Sequence, residues 1–119
     1  LWVEDEDSVR DLTERMLRSA GHRVISASTG SEALTLLDSH ADIDVLVTDV
    51  VLPGGMNGAD VARAVRRAIP GAKVLFVSGY PRDVSLDLED EESVSYYLEK
   101  PFTAEALLAK VQEILSSRD

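Results

Sequence analysis

The chain has 119 residues without a cysteine, and its net charge at pH 7 is −10. This length suits one domain with a hydrophobic core, and the lack of cysteine excludes a disulfide framework and a thiolate metal site. The negative charge argues against direct binding of nucleic acid, and no apolar run or signal sequence predicts a membrane span, so we expect a cytoplasmic protein.

The first forty residues predict a strand, a helix, a second strand and a second helix. Residues 1–3 are apolar and look like the end of a strand whose start is missing, because strands usually have about five or six residues. An acidic run follows at residues 4–7. Ser8 is the predicted cap of the first helix, which Gly21 ends. The predicted inward side chains of this helix are Val9, Leu12, Met16, Leu17 and Ala20.

The second strand is predicted at residues 23–27, and a capping box of Thr29 and Glu32 opens a helix that ends near His40. Residues 43–48 are then almost all apolar, which predicts a strand buried on both faces of a parallel sheet. This strand ends at Asp49. In an open α/β sheet, ligands bind outside the carboxyl ends of the strands, so Asp49 stands where chemistry is expected.

The rest of the chain continues the alternation. Asn57 and Asp60 are predicted to cap a helix that ends before Pro70, and residues 73–78 predict a buried strand. Residues 82–92 are poorly patterned and predict a helix that is short or disordered. Residues 94–99 predict a fifth strand, and Thr103 opens a last helix. The predicted inward side chains of the helix after Asn57 are Val61, Ala62, Val65, Ala68 and Ile69. Those of the last helix are Ala104, Leu107, Leu108, Val111, Ile114 and Leu115.

Five strands that alternate with helices predict a doubly wound parallel sheet with helices on both faces. Its carboxyl edge would carry Glu4 and Asp5, Asp49, Ser78 and Lys100. Carboxylates that share a site repel one another unless a cation intervenes, and Mg²⁺ favours such oxygen ligands together with phosphate. A lysine and a hydroxyl complete the polar groups of a phosphoryl site. Because both histidines lie away from these strand ends, we expect a carboxylate nucleophile.

Four segments in register resemble the receiver domain of two-component response regulators. They are VEDED at residues 3–7, VTDVVLPGGMNG at 47–58, VSGY at 77–80 and YLEKPF at 97–102. The resemblance covers residues 1–119 as one domain and is strongest to receivers associated with hybrid histidine kinases. It implies a flavodoxin-like sheet of order 2-1-3-4-5 that accepts a phosphoryl group from a phosphohistidine in a phosphorelay.

The resemblance also implies a role for each matching residue. Asp49 is the phosphoacceptor, Lys100 pairs with the phosphoryl oxygens, and Ser78 and Tyr97 form the switch. Mg²⁺ is held by Glu4, Asp5, Asp49 and the backbone carbonyl of Val51. The implied partner is a histidine kinase or a histidine phosphotransfer protein, and homodimerisation stays open. Such a domain is expected to catalyse its own phosphorylation and dephosphorylation and not to turn over an independent substrate, so whether to class it as an enzyme stays open.

Some positions depart from the receiver pattern and leave alternatives. Glu4 stands where an aspartate is commonest, the loop after Asp49 is one residue longer than usual, and Gly79 replaces a common alanine. A receiver-like interaction module that is never phosphorylated is one alternative. A small-molecule phosphatase is disfavoured because Val51 stands where its second acid would be. A nucleotide or flavin binder is disfavoured because no glycine-rich loop follows the first strand.

Overall fold

A computed structural model describes residues 1–40, 42–50, 52, 56–78, 95–99 and 102–116, with the backbone alone for Ser78 and Ser95. Its five strands form one parallel sheet of order β2-β1-β3-β4-β5. The predicted strand order is therefore confirmed. The strands are β1 (Trp2–Val3), β2 (Ser26–Ala27), β3 (Val45–Asp49), β4 (Lys73–Ser78) and β5 (Ser95–Glu99).

Helices cover both faces of this sheet, as the alternating pattern predicts. The helices in the described part of the chain are α1 (Asp7–Ser19), α2 (Gly30–Ser39), α3 (Gly58–Ala68) and α4 (Ala104–Ser116). None of these helices has the length and apolar character needed to cross a bilayer. The helix predicted at residues 82–92 lies outside the described residues.

Two separate hydrophobic cores lie on the two faces of the sheet. Successive side chains of a strand point to opposite faces, so a strand covered on both sides is apolar throughout. Leu46, Val74 and Phe76 pack with α2 and α3 on one face. Val47, Leu75 and Val77 pack with α1 and α4 on the other. The apolar runs of β3 and β4 therefore reflect burial on both faces.

Local sequence signals account for several helix ends. The Asn57 side chain accepts the Asp60 N–H at 3.0 Å, and the Asp60 carboxylate accepts the Asn57 N–H at 3.1 Å, so the predicted capping box of α3 is confirmed. Gly21 ends α1 with a φ of 98°, a conformation that glycine adopts without strain. Its N–H donates to the Arg18 carbonyl and the next N–H to Leu17, which is the Schellman arrangement.

The prediction that Ser8 caps α1 is wrong. The helix begins at Asp7, and Glu6 holds the N-cap position without a side-chain cap. The Glu6 N–H instead donates to the carboxylate of Glu4 at 3.1 Å. The acid that follows β1 therefore satisfies the backbone donor of the N-cap residue, and Ser8 lies inside the first turn of the helix. The second strand is also shorter than the predicted residues 23–27.

The predicted inward faces of the helices are right in part. In α1, Leu17 is buried, but Leu12 is 62% exposed and Thr13 is buried in its place. Three polar side chains on one stripe of this helix contact residues in or beside the first two strands. These contacts are Arg10 to the Glu4 carbonyl, Glu14 to the Ser26 hydroxyl and Arg18 to the Val24 carbonyl. Ala20, Ala68 and Leu115 were also predicted to face inward and are exposed.

Candidate functional site

Three carboxylates meet at the carboxyl edge of the sheet. Trp2 pairs with Val47 and Val3 with Thr48, so the register of β1 and β3 carries Glu4 and Asp5 toward Asp49. One carboxylate oxygen from each of these three acids lies within 4.8 Å of the other two. The sequence prediction that these residues share one site is therefore consistent with the fold.

The three acids differ in their exposure to solvent. Glu4 is buried at 1% exposure, Asp49 is intermediate and Asp5 is exposed. The buried Glu4 uses one carboxylate oxygen to accept the Glu6 N–H at the start of α1. A carboxylate bonded in this way is held in one orientation, whereas Asp5 faces water. The site therefore has a fixed inner side and an open outer side.

The Arg10 side chain fixes the turn between β1 and α1 through two hydrogen bonds. Its Nη1 donates to the Glu4 carbonyl at 2.9 Å, and its Nη2 bonds the Asp7 carboxylate. The hydrogen bond that Arg10 donates to the Asp7 carboxylate raises the pKa of the Arg10 guanidinium above its usual value. The Arg10 carbonyl in turn accepts the Trp2 indole N–H at 3.3 Å. The turn that carries Glu4 and Asp5 is thus tied to the first helix.

The main chain at Asp49 is held on both sides. Asp49 pairs with Val77 on β4, and the Val50 N–H donates to the Val77 carbonyl at 3.1 Å. From the other side, the Gly58 N–H donates to the Val50 carbonyl at 2.8 Å. The buried Thr48 hydroxyl donates to the Asp49 carbonyl at 3.0 Å. The backbone that carries the Asp49 carboxylate therefore has little freedom to move.

The remaining predicted site residues are described only in part. Ser78 ends β4 and pairs with Glu99, but its side chain lies outside the described part of the structure. Lys100 and Val51 lie outside the described residues. Tyr97 is 44% exposed, and its ring stacks on the buried Phe76 with centroids 5.9 Å apart. The roles expected of these four residues stay predictions.

Comparison with known proteins identifies the family. The family model described as the response regulator receiver domain matches residues 1–112. The chain belongs to the response regulator receiver family. The five-stranded order and the helices on both faces are the fold of receiver domains, and solved receiver structures superpose on this chain over nearly its whole length.

Relatives include whole signalling proteins that are longer than this chain. It is 38% identical to the sensor kinase CckA of Brucella abortus over 120 residues, which are 100% of this chain and 13% of that kinase. It is 31% identical to the transcriptional regulatory protein AfsQ1 of Streptomyces coelicolor over 115 residues, 97% of this chain and 50% of that protein. The chain thus spans half or less of each of these two proteins.

Two solved structures resemble this receiver domain closely. One is a response regulator receiver protein from Sinorhizobium medicae, with a TM-score of 0.86, 31% identity and coverage of 99% of this chain and 94% of that one. The other is the receiver domain of the hybrid histidine kinase CckA, with a TM-score of 0.79, 33% identity and coverage of 97% and 96%. The predicted likeness to receivers of hybrid kinases is therefore confirmed.

The donor set of this receiver site fits a divalent cation. Carboxylate oxygens are hard ligands, and Mg²⁺ usually takes one or two of them while it keeps several waters. Glu4, Asp5 and Asp49 offer such oxygens close together, with Asp5 open to solvent.

A separate cavity of about 490 Å³ opens at the opposite edge of the sheet, lined by residues that include His22, Arg23 and Asp44. It shares no residue with the acidic site.

Sequence reasoning missed three residues that shape the site. They are Arg10, which holds the first turn, and Thr48 and Gly58, which contact the main chain at Asp49 and Val50. Arg10 lies in the predicted first helix without a role of its own, and Thr48 is one position of the predicted buried strand. Gly58 follows the capping residue Asn57, which is a signal for a helix start but not for a contact with a distant strand.

Proposed function

We propose that residues 1–119 act as one receiver domain that takes a phosphoryl group onto Asp49 from the phosphohistidine of a histidine kinase or a histidine phosphotransfer protein. Membership of the receiver family supports the reaction class. The observation that carries the assignment to Asp49 is the meeting of its carboxylate with those of Glu4 and Asp5 within 4.8 Å. The phosphorylated domain would then bind its partners differently from the unmodified one.

Glu4, Asp5 and Asp49 would hold Mg²⁺, together with the carbonyl of Val51. When bound, the ion neutralises charge on the phosphoryl oxygens, which is its usual contribution to phosphoryl transfer. The open side at Asp5 leaves room for a donor to approach, whereas the buried Glu4 keeps its orientation through the Glu6 N–H. The division between a fixed and an open side suits a site that must admit a second protein.

In the transfer step, a carboxylate oxygen of Asp49 attacks the phosphorus atom of the phosphohistidine. A phosphorus–oxygen bond forms while the phosphorus–nitrogen bond breaks, and the electron pair of that bond leaves on the imidazole nitrogen. The product is an acyl phosphate on Asp49 and a free histidine. Lys100 would pair with the phosphoryl oxygens. Because the Asp49 backbone is already held, the protein would accelerate the reaction mainly by positioning the reacting groups.

The switch would use Ser78 and Tyr97. A ligand shifts a conformational equilibrium only through contacts that differ between the two states, and a Ser78 hydroxyl that bonds only the phosphorylated form meets this condition. Tyr97 is 44% exposed while it stacks on Phe76, so its ring can change position without opening a buried cavity. Coupling of this kind is usually worth about 1–3 kcal/mol.

The test is the intact mass of the protein after incubation with acetyl phosphate and Mg²⁺. We expect the parent to gain one phosphoryl group, and the gain to disappear in Asp49→Asn and in the presence of a chelator. Asp44→Asn is the matched control, because Asp44 is an exposed acid before the start of the same strand. This control should be labelled as the parent is.

Two results would contradict the proposal. Labelling that persists in Asp49→Asn would place the acceptor elsewhere. The parent could also stay unlabelled although circular dichroism and a cooperative melt show that it is folded. This result would favour the interaction module that is never phosphorylated. The search would then turn to partners that bind the unmodified domain.

A further inference from the structure

The first residue of α3 packs directly on the main chain of the proposed phosphoacceptor. An ideal Cβ built on Gly58 would lie 2.1 Å from the Asp49 carbonyl oxygen, 3.0 Å from its carbonyl carbon and 3.1 Å from the Val50 Cα. Non-bonded carbon atoms pack best at about 3.5–4.0 Å. All three atoms belong to the backbone, so no flexible side chain can move away to make room.

The start of α3 cannot easily retreat from this contact. The Gly58 N–H, one of the helix donors without an intrahelical acceptor, bonds the Val50 carbonyl at 2.8 Å. The capping box of Asn57 and Asp60 fixes the same turn, and Val61 and Val65 bury the next two turns in the core at 0% exposure. The helix is therefore anchored by its first turn and by its buried face.

We propose that Gly58 is a positioning residue for the receiver reaction: its missing side chain lets α3 fix the backbone of Asp49, and through it the direction of the Asp49 carboxylate toward Glu4 and Asp5. This inference rests on the proposed role of Asp49. A methyl group at this position must displace Asp49 and Val50, the helix, or both, by about 1 Å, a shift that can cost about a hundredfold in rate when it reaches reacting groups.

The chain offers two matched glycine controls. Gly21 has a φ of 98°, and a Cβ there would meet no atom within 4 Å, so Gly21→Ala strains the backbone without a steric contact. Gly71 also has open space around a Cβ, and its φ is outside the positive range. Gly21→Ala should lower stability and Gly71→Ala should leave it nearly unchanged, and both should retain the labelling rate of the parent.

The first experiment compares Gly58→Ala, Gly21→Ala and Gly71→Ala with the parent at a temperature where every variant is folded. The rate of labelling by acetyl phosphate and the Mg²⁺ dissociation constant from calorimetry are measured for each. We expect Gly58→Ala to be labelled about 10- to 100-fold more slowly and to bind Mg²⁺ several-fold more weakly. Gly58→Ala that is less stable but unchanged in both values would mean that the helix moves instead, and it would overturn the proposal.

The second experiment uses the parent, so it does not depend on the folding of a variant. Amide resonances are followed by nuclear magnetic resonance while Mg²⁺ and then acetyl phosphate are added. We expect the Val50 and Gly58 amides to shift with Asp49 and the Gly71 amide to stay in place. A shift of Asp49 without Gly58 would overturn the inference. If the parent binds Mg²⁺ but is never labelled, the proposed function fails, and the Mg²⁺ affinity of Gly58→Ala alone decides the positioning role.

Discussion

Glu4 combines two tasks that usually fall to different residues. Its carboxylate accepts the first free N–H of α1, and it also lies with Asp5 and Asp49 in the acidic site. This hydrogen bond joins a residue directly after β1 to the start of α1, at a position where an aspartate is commonest in receivers. Glu4 is therefore a structural cap and a candidate metal ligand at once.

A neutral isostere separates these two tasks. Glu4→Gln keeps a side-chain oxygen that can accept the Glu6 N–H, but it removes one negative charge from the acidic site. We expect about tenfold weaker Mg²⁺ binding, because one fewer charge attracts the ion, while the free energy of unfolding without Mg²⁺ changes by less than about 1 kcal/mol. Calorimetric titration and urea unfolding measure the two quantities.

Glu32→Gln is the control for this prediction. Glu32 also accepts a backbone N–H near a helix start, that of Ser28 at 2.6 Å, but it does not belong to the acidic site. Glu32→Gln should therefore change the Mg²⁺ affinity less than Glu4→Gln does. Equal Mg²⁺ affinity in Glu4→Gln and the parent would show that Glu4 acts only as a cap.

Single residues also mark the limit of what the sequence could predict here. Glu4, Asp5 and Asp49 were predicted to meet because each follows a strand, and strand ends share an edge. The contact between Gly58 and Asp49 could not be predicted, because it depends on how closely a helix approaches a strand. Hydrophobic periodicity determines which elements form, and it contains no information on distances of a few tenths of an ångström.

At the scale of elements, α1 shows how polar contacts can rotate a helix. The apolar stripe alone would centre the buried face between Val9 and Met16. Arg10, Glu14 and Arg18, spaced four residues apart, contact the residue after β1, β2 and the segment before β2. Residues four apart lie on one face of a helix, so this stripe lies beside the first two strands. Leu12 is left on the outer edge.

This rotation predicts different costs for two leucines on the same helix. Leu17 is 4% exposed and packs in the core with Trp2, whereas Leu12 is 62% exposed. Leu17→Ala should lower the free energy of unfolding by about 2–4 kcal/mol, and Leu12→Ala by less than about 0.5 kcal/mol. Urea unfolding of the two variants checks the difference. Similar losses in both would mean that α1 presents the face that periodicity alone predicts.

Element boundaries were predicted best where a local signal and a long-range constraint coincide. The strand KVLFVS was predicted at residues 73–78 and is found there, between the turn after α3 and the edge of the site. The cap at Asn57 was right because both partners of the box lie within four residues. The cap at Ser8 was wrong because the helix already begins at Asp7, with Glu6 at the N-cap position.

At the scale of the whole molecule, the acids determine the response to salt. The net charge of −10 is spread over a chain with a radius of gyration of 12.9 Å, so the acids lie close enough to repel one another. Screening by monovalent salt weakens this repulsion in the compact state. The acidic site adds a local repulsion that a divalent cation can relieve by binding.

We therefore expect two separable effects of ions on the melting temperature. Raising KCl from about 20 mM to about 200 mM should raise it by roughly 2–5 °C through screening. MgCl₂ at equal ionic strength should raise it further, since a ligand of the folded state adds its own binding free energy. Differential scanning calorimetry measures both. The additional rise should shrink in Asp49→Asn, and an equal rise with KCl and MgCl₂ in the parent would argue against a specific cation site.

The architecture as a whole was predicted from the alternation of apolar runs and helix signals. Burial on both faces makes the central strands apolar throughout, and this feature favours a parallel sheet with helices on each side. The order of the strands could not be predicted in this way, because the alternation fits more than one arrangement. It came from the resemblance of four motifs, and the pairing of β1 with both β2 and β3 confirms it.

The position of Trp2 gives this protein an optical property of its own. It is the only tryptophan of the chain and is 1% exposed, and it stands two residues before Glu4 in the sequence. Its indole N–H donates to the Arg10 carbonyl. Its indole fluorescence therefore comes from one side chain in one environment. Emission from a buried indole shifts to longer wavelength when water reaches it. The wavelength of Trp2 emission can therefore report both unfolding and any movement of the turn that carries Glu4 and Asp5.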